Sequence, residues 1–154
     1  MTTDEKLDIE KYKSKKEYPK KEGYIFPFGD GPHNKLNPTY DLYIKLIENA
    51  KKTIYISTPY LIIDNIFLKI IANQAKSGVE VIFLVPEVAD KKLVYIMTEN
   101  NFTEILKAGG KIYKYSGGFN HAKTIVIDSD YAIVGTVNID YRSMFLHFEC
   151  SNLL

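Results

Sequence analysis

A layered α/β domain, with a mixed central β-sheet flanked by helices, is the fold that this sequence of 154 residues predicts. Three observations carry that expectation. Strand-like and helix-like hydrophobic periods alternate along the first two thirds of the chain. Strands without intervening helices crowd the last third. The length fits one domain and leaves little room for a second. Apolar residues make up 45% and charged residues 25%, the composition of an ordinary globular protein, which excludes a chain disordered throughout.

Residues 1–22 lack a hydrophobic period. Seven lysines and six acids interleave there, which reads as a flexible charged lead-in rather than a membrane-surface helix. Composition shifts at Gly23, and residues 23–154 are expected to form the single folded domain. Tyr24–Phe28 reads as a short strand and Asp30-Gly31-Pro32 as a turn. From Pro38 to Lys52 the pattern is helical, with Tyr43, Leu46, Ile47 and Ala50 on one face. Thr53–Thr58 is β-rich and ends at Pro59. A second helix spans Asp64–Ser77, with Asp64 as N-cap and Gly78 as its stop.

Val79–Val85 is apolar except for Glu80 and predicts a central strand buried on both faces. Asp90–Ala108 reads as helical, in two pieces around Asn100-Asn101, ended by Gly109-Gly110. Lys111–Tyr115 is a strand and Gly117-Gly118 a loop. Ala122–Asp128 and Tyr131–Gly135 form a hairpin through Ser129-Asp130, and a last strand covers Leu146–Leu153.

Several function classes are disfavoured at this point. No run of 18 apolar residues occurs, and the greasiest stretch, Ile66–Ala72, is interrupted by Lys69, so no transmembrane segment and no signal peptide are expected. The single cysteine, Cys150, forms no internal disulfide, and its alternation with Glu149 suggests an inert core residue in a reduced, cytosolic setting. No Cys/His cluster has metal-ligand spacing, and no metal or cofactor is expected. Outside the lead-in the chain carries thirteen bases and thirteen acids, with one arginine, Arg142, which makes nucleic acid an unlikely partner. Arg142 suits a phosphate contact or a structural ion pair equally. The tyrosines fit half-buried faces, Tyr60 included, and His33 reads as a surface loop residue.

Chemistry concentrates in His121-Ala122-Lys123-Thr124-Ile125-Val126-Ile127-Asp128. On a strand, His121 and Lys123 project from one face at its start, while Asp128 lies at the far end on the other, where it suits anchoring a turn or nearby backbone. Downstream, Gly135-Thr136-Val137-Asn138 leaves the second hairpin strand, and the hairpin brings Asn138 beside His121 and Lys123. Glu149 follows in the alternation Phe145, His147, Glu149. An ammonium, an amide donor, a histidine and an orienting carboxylate suit a tetrahedral anion and phosphodiester exchange: imidazole attacks phosphorus while Lys123 and Asn138 balance charge on the non-bridging oxygens.

These residues resemble the signature of the phospholipase D superfamily, His-x-Lys-x4-Asp followed by Gly-(Ser/Thr)-x-Asn. Within it, Ser57-Thr58-Pro59-Tyr60-Leu61-Ile62-Ile63-Asp64, Gly118-Phe119-Asn120-His121-Ala122-Lys123-Thr124 and Gly135-Thr136-Val137-Asn138-Ile139-Asp140-Tyr141-Arg142-Ser143 resemble the second half of bacterial cardiolipin synthases. The resemblance covers about residues 24–154. It implies a phospholipase D-like domain and catalytic residues His121, Lys123, Asp128 and Glu149. It also implies phosphate binding by Lys123, Asn138 and Thr136, and metal-independent transfer of a phosphatidyl group between two phosphatidylglycerols through a phosphohistidine, with release of glycerol. In such enzymes the second-half histidine usually acts as general acid, a role that passes to His121. His147 departs from the asparagine usual at its position.

The chemistry needs two histidines, and this motif supplies one. His33-Asn34-Lys35 is no first motif, because Tyr40 occupies the aspartate position and Pro38 breaks a strand. The expected partners are therefore a missing N-terminal catalytic half or a second copy as homodimer, phosphatidylglycerol, and a membrane surface. The expected site of action is the cytoplasmic face of the cell membrane, with this chain itself soluble. The alternatives are a homodimeric single-motif phosphodiesterase or nuclease of the same superfamily, and a non-catalytic anion- or lipid-binding fragment.

Overall fold

The computed structural model describes residues 8–17, 19, 22–88 and 92–154. After a single 3-10 turn at Ile9–Tyr12, the chain runs β1 (Phe26–Asp30), α1 (Pro38–Asn49), β2 (Thr53–Ser57), β3 (Leu61–Ile62), α2 (Asn65–Lys76), β4 (Glu80–Pro86) and α3 (Lys92–Lys107). It continues through β5 (Lys111–Tyr115), β6 (Thr124–Ile127), β7 (Tyr131–Gly135), β8 (Ile139–Asp140), α4 (Tyr141–Phe145) and β9 (Glu149–Leu153). Seven strands form one mixed sheet in the order β1-β9-β7-β6-β2-β4-β5, and β3 pairs with β8 in a small parallel ribbon. Strands β2, β4 and β5 are parallel, and the β6-β7-β9-β1 half is antiparallel.

Local chemistry sets the helix ends. Asn37 caps α1 by accepting the Tyr40 N–H at 2.9 Å, with Pro38 in the first turn. Asp64 caps α2 through the N–H groups of Ile66 and Phe67, and Gly78, at φ +96°, leaves it. The connections from β2 through α2 to β4, and from β4 through α3 to β5, join parallel neighbours, and the right-handed rule for such crossovers puts both helices on one face of the sheet. There α1 packs on α2 and α2 on α3. Tyr43 and Ile47 of α1, Phe67, Leu68 and Ile71 of α2, and Ile54, Ile56, Val81, Phe83, Val85, Ile125 and Ile133 of the sheet build the core between the layers.

The layered mixed α/β fold is the one expected, with five differences in detail. The first strand lies two residues later. The third helix is one continuous element over its described length rather than two pieces, because Asn101 turns inward and donates to the Leu61 carbonyl at 2.8 Å; residues 89–91, near its expected start, lie outside the described residues. β4 is central, yet its second face is partly open, with Leu84 36% exposed. The strand bearing the His-x-Lys pair begins only at Thr124, so His121 and Lys123 sit on its extended lead-in. The last strand begins at Glu149, because α4 occupies the stretch before it.

Candidate active site

The site is built where β6, β7 and β9 end side by side. The Gly135 N–H donates to the Lys123 carbonyl at 3.3 Å, and Gly135 stands opposite Ser151. Gly135 is required for this approach: a Cβ there would strike the Ser151 hydroxyl and the Cys150 carbonyl. Just beyond it, Thr136 binds β9 twice through the backbone of Cys150, its N–H donating to the carbonyl at 2.9 Å and its Oγ1 accepting the Cys150 N–H at 3.0 Å. The Thr136 hydroxyl also donates to Glu149 Oε2 in a short hydrogen bond. Lys123, Thr136 and Glu149 are thus gathered by adjacent strand ends.

Lys123 Nζ donates to the carbonyl of His121 at 2.8 Å, which ties the ammonium to the histidine's own backbone. Burial holds its pKa below the ordinary lysine value, while the Glu149 and Asp140 carboxylates act in the opposite direction. The His121 ring is held by aromatic packing: it stacks on Phe119 at 5.3 Å between centroids and meets Tyr60 edge-on at 6.5 Å. Among the described residues no polar group bonds to its nitrogens, so the histidine is not joined directly to Asn138 or Glu149. Asn138 donates to Ser143 Oγ at 3.0 Å, and its Oδ1 is buried with no partner among the described residues.

The loop after β2 holds the two arms together. Ser57 Oγ accepts from the Asn120 side chain at 2.9 Å, next to His121. Thr58, 1% exposed, donates to the Tyr60 carbonyl and accepts the Ile139 N–H at 3.2 Å, next to Asn138. Asp140 caps α4 through the Ser143 N–H at 2.6 Å, turning the chain back toward β9. In the sequence these residues stand only as letters of the resemblance motifs. The signals for their roles were present: a Ser-Thr pair before proline at a strand end, and an Asp-x-x-Ser cap spacing.

Asp128 stands elsewhere. Its carboxylate accepts the backbone N–H groups of Lys51, Lys52 and Thr53 at 2.7–2.8 Å, at the opposite end of β6 from His121 and roughly 23 Å from it along a fully extended chain. It is an anchor of the scaffold, away from Lys123, Thr136 and Glu149, where the resemblance implied a catalytic residue. Cys150 likewise differs from its expected core position. It is exposed, because the residue opposite it on β1 is Gly29, which has no side chain to cover it. Arg142 makes a side-chain contact: its Nε donates to His147 Nε2 at 2.7 Å. His33 lies exposed in the turn after β1, against Phe148 at 5.7 Å between centroids. Between that turn and the start of β9 opens a cleft of about 550 Å³, lined by Gly31, His33, Asn34, Thr136, Phe148 and Glu149. Among the described residues no three His, Cys, Asp or Glu side chains gather as a metal site would need, and no helix is long and apolar enough to cross a membrane.

A mixed sheet carrying this histidine and lysine at the lip of an antiparallel strand trio is the phospholipase D fold. Solved structures bear the fold out. The phospholipase D family member Nuc from Salmonella typhimurium superposes with a TM-score of 0.68 at 18% identity, covering 84% of this chain and 82% of that one. Phosphatidylserine synthase from Haemophilus influenzae does so with 0.66 at 20% identity, covering 84% and 34%.

Residues 43–153 match the family described as cardiolipin synthase, PLD-like domain, and the chain belongs to that family. It is 42% identical over 124 residues to cardiolipin synthase 2 of Bacillus anthracis, covering 80% of this chain and 24% of that protein. It is 44% identical over 119 residues to cardiolipin synthase of Listeria welshimeri, covering 77% and 25%. The chain therefore spans about a quarter of the length of these relatives.

Proposed function

We propose that this domain is one catalytic half of a phosphatidyltransferase that joins two phosphatidylglycerols into cardiolipin and releases glycerol. The observation that carries the reading is the convergence of Lys123, Thr136 and Glu149 on the adjoining ends of β6, β7 and β9, with His121 on the same lead-in as Lys123. Family membership and the cardiolipin synthase relatives support the substrate class.

In the proposed reaction a histidine nitrogen from the missing half attacks phosphorus of the first phosphatidylglycerol. The P–N bond forms and the P–O bond to glycerol breaks, with His121 giving its proton to the departing alkoxide. His121 then takes the proton from the headgroup hydroxyl of a second phosphatidylglycerol. The resulting oxygen attacks phosphorus, the P–N bond breaks, and cardiolipin leaves. Lys123 neutralises the non-bridging oxygens as charge develops, and the second amide N–H of Asn138 and the Thr136 hydroxyl, once it turns from Glu149, are assigned as further donors to the phosphoryl group. The second histidine comes from an N-terminal half or from a second copy across a twofold axis. The membrane surface presents the substrate.

The test is glycerol release and cardiolipin formation on phosphatidylglycerol vesicles, with this chain combined with a first catalytic half. Loss of turnover on His121→Ala, with folding retained, supports the reading; wild-type turnover in that variant ends it. Solution mass separates the two sources of the second histidine, since a monomer eliminates the shared homodimer site.

A further inference from the structure

We infer that His147 is a positioning residue that, braced by Arg142, holds the Glu149 carboxylate in the site. Three side chains form a line from the surface of α4 inward. Arg142 Nε donates to His147 Nε2 at 2.7 Å, and His147 Nδ1 lies 3.7 Å from Glu149 Oε1. The other carboxylate oxygen accepts from Thr136. Exposure falls along the line: the His147 side chain is 41% exposed and that of Glu149 only 10%. Thr136 serves one carboxylate oxygen, and the other faces His147.

The arginine decides the state of the ring. A guanidinium only donates, so Nε2 must offer its lone pair, and the ring's one N–H sits on Nδ1, facing Glu149. The separation of 3.7 Å is longer than a hydrogen bond and within the looseness such contacts show before ligand binds. Arg142 thus selects the tautomer, and the tautomer aims a donor at the carboxylate. Both ends of the line are fixed by the fold: Arg142 rides on α4, which Asp140 caps, and Glu149 begins β9. This relay acts on Glu149 of the proposed phosphoryl site, and its consequence for chemistry rests on that reading.

Nitrogen-15 spectra of the imidazoles and carbon-13 spectra of the side-chain carboxyls test the relay in the whole chain, without any need for turnover. His147 is expected to show an unprotonated Nε2 and a protonated Nδ1, and Arg142→Leu is expected to return it to the commoner Nε2–H form. His147→Asn offers the same acceptor and donor and should keep the Glu149 carboxyl and Cys150 amide signals in place. His147→Ala should move both while core signals such as Ile133 stay. An Nε2–H ring in the wild type, or an alanine variant with unmoved Glu149 and Cys150 signals, overturns the inference. Vanadate titration separates this from the larger reading. Equal vanadate binding by wild type and His121→Ala sinks the phosphoryl site and leaves the spectral result standing. Where the site binds vanadate, His147→Ala should weaken it by roughly three- to tenfold, with His147→Asn restoring most of the loss.

Discussion

The β6–β7 hairpin has two polar ends, and they use their polar groups in opposite ways. At the turn, the Asp128 carboxylate takes three backbone N–H groups from the start of β2. Asp128 and Ser129 both adopt positive φ, 54° and 63°, and Asp130 closes the turn on Ile127. That end is saturated and faces its own main chain. At the other end Lys123 donates to the His121 carbonyl, the His121 nitrogens have no bonded partner among the described residues, and Glu149 is met by the Thr136 and His147 side chains. A charge surrounded by its own backbone fixes a fold; a charge left with spare bonding capacity at a strand lip can meet a ligand. The His-x-Lys-x4-Asp motif is therefore two devices flanking one strand, a scaffold anchor and a His–Lys pair open to a ligand.

Substitutions at the open end should break chemistry and spare the fold. His121→Ala, assayed with both catalytic halves present, is expected to lower turnover by roughly a thousandfold or more, because a proton-transfer group is lost outright. Lys123→Ala should lower kcat by roughly a hundredfold, with a smaller change in KM, since charge on the non-bridging oxygens grows toward the transition state. Urea midpoints of both variants should stay near wild type. A kcat loss in either variant that tracked a loss of stability would erase the division between the two ends.

Gly135→Ala probes the seam between β7 and β9 at the open end. The added Cβ has no room against Ser151 and Cys150, so β7 and β9 must part where Thr136 reaches Glu149. Roughly 1–3 kcal/mol of stability should be lost, as for other overpacked sites, together with activity. Unchanged denaturation of this variant would show that the strand ends can separate freely, and the convergence of the site would lose its structural cause.

Much of this architecture was legible beforehand because periodic residues report burial directly. Of Tyr43, Leu46, Ile47 and Ala50, expected on one helix face, Tyr43, Ile47 and Ala50 are buried and Leu46 is half-buried against the core. Asp64 and Gly78 bound α2 as their chemistry dictates. What failed was decided by long-range context. The run Phe145-Leu146-His147-Phe148 alternates like a strand, yet Asp140 caps a short helix over its beginning, and Phe145 packs against Tyr40. Cys150 alternates correctly, but its exposure depends on a glycine more than a hundred residues away. The Ser57-Thr58 pair before proline marks a strand end, but its partners lie far along the chain: each residue bonds across the fold to a neighbour of a site residue. Spacing placed Asn138 beside His121 and Lys123 and put Glu149 in alternation with His147; it did not show that the Glu149 oxygens face Thr136 and His147.

The smallest expected effect belongs to the saturated end and has a definite sign. Backbone N–H groups of Thr53, then Lys51 and Lys52, hold the Asp128 pKa below the ordinary aspartate value of 3.8. A depressed folded-state pKa means that the native protein prefers the ionised form. The contribution to stability is therefore full above 3.8 and fades as pH falls through the lower folded value. Asp128→Asn keeps the tolerance for positive φ and one acceptor oxygen, and removes the charge. Its urea midpoint should lie slightly below wild type at neutral pH, and the gap should close on acidification below 3.8. Other depressed carboxylates, such as Asp30, titrate in both proteins and cancel from the difference. A gap constant with pH would mean that the three N–H groups do not discriminate between charged and neutral acid, and the turn would then owe its order to backbone geometry alone.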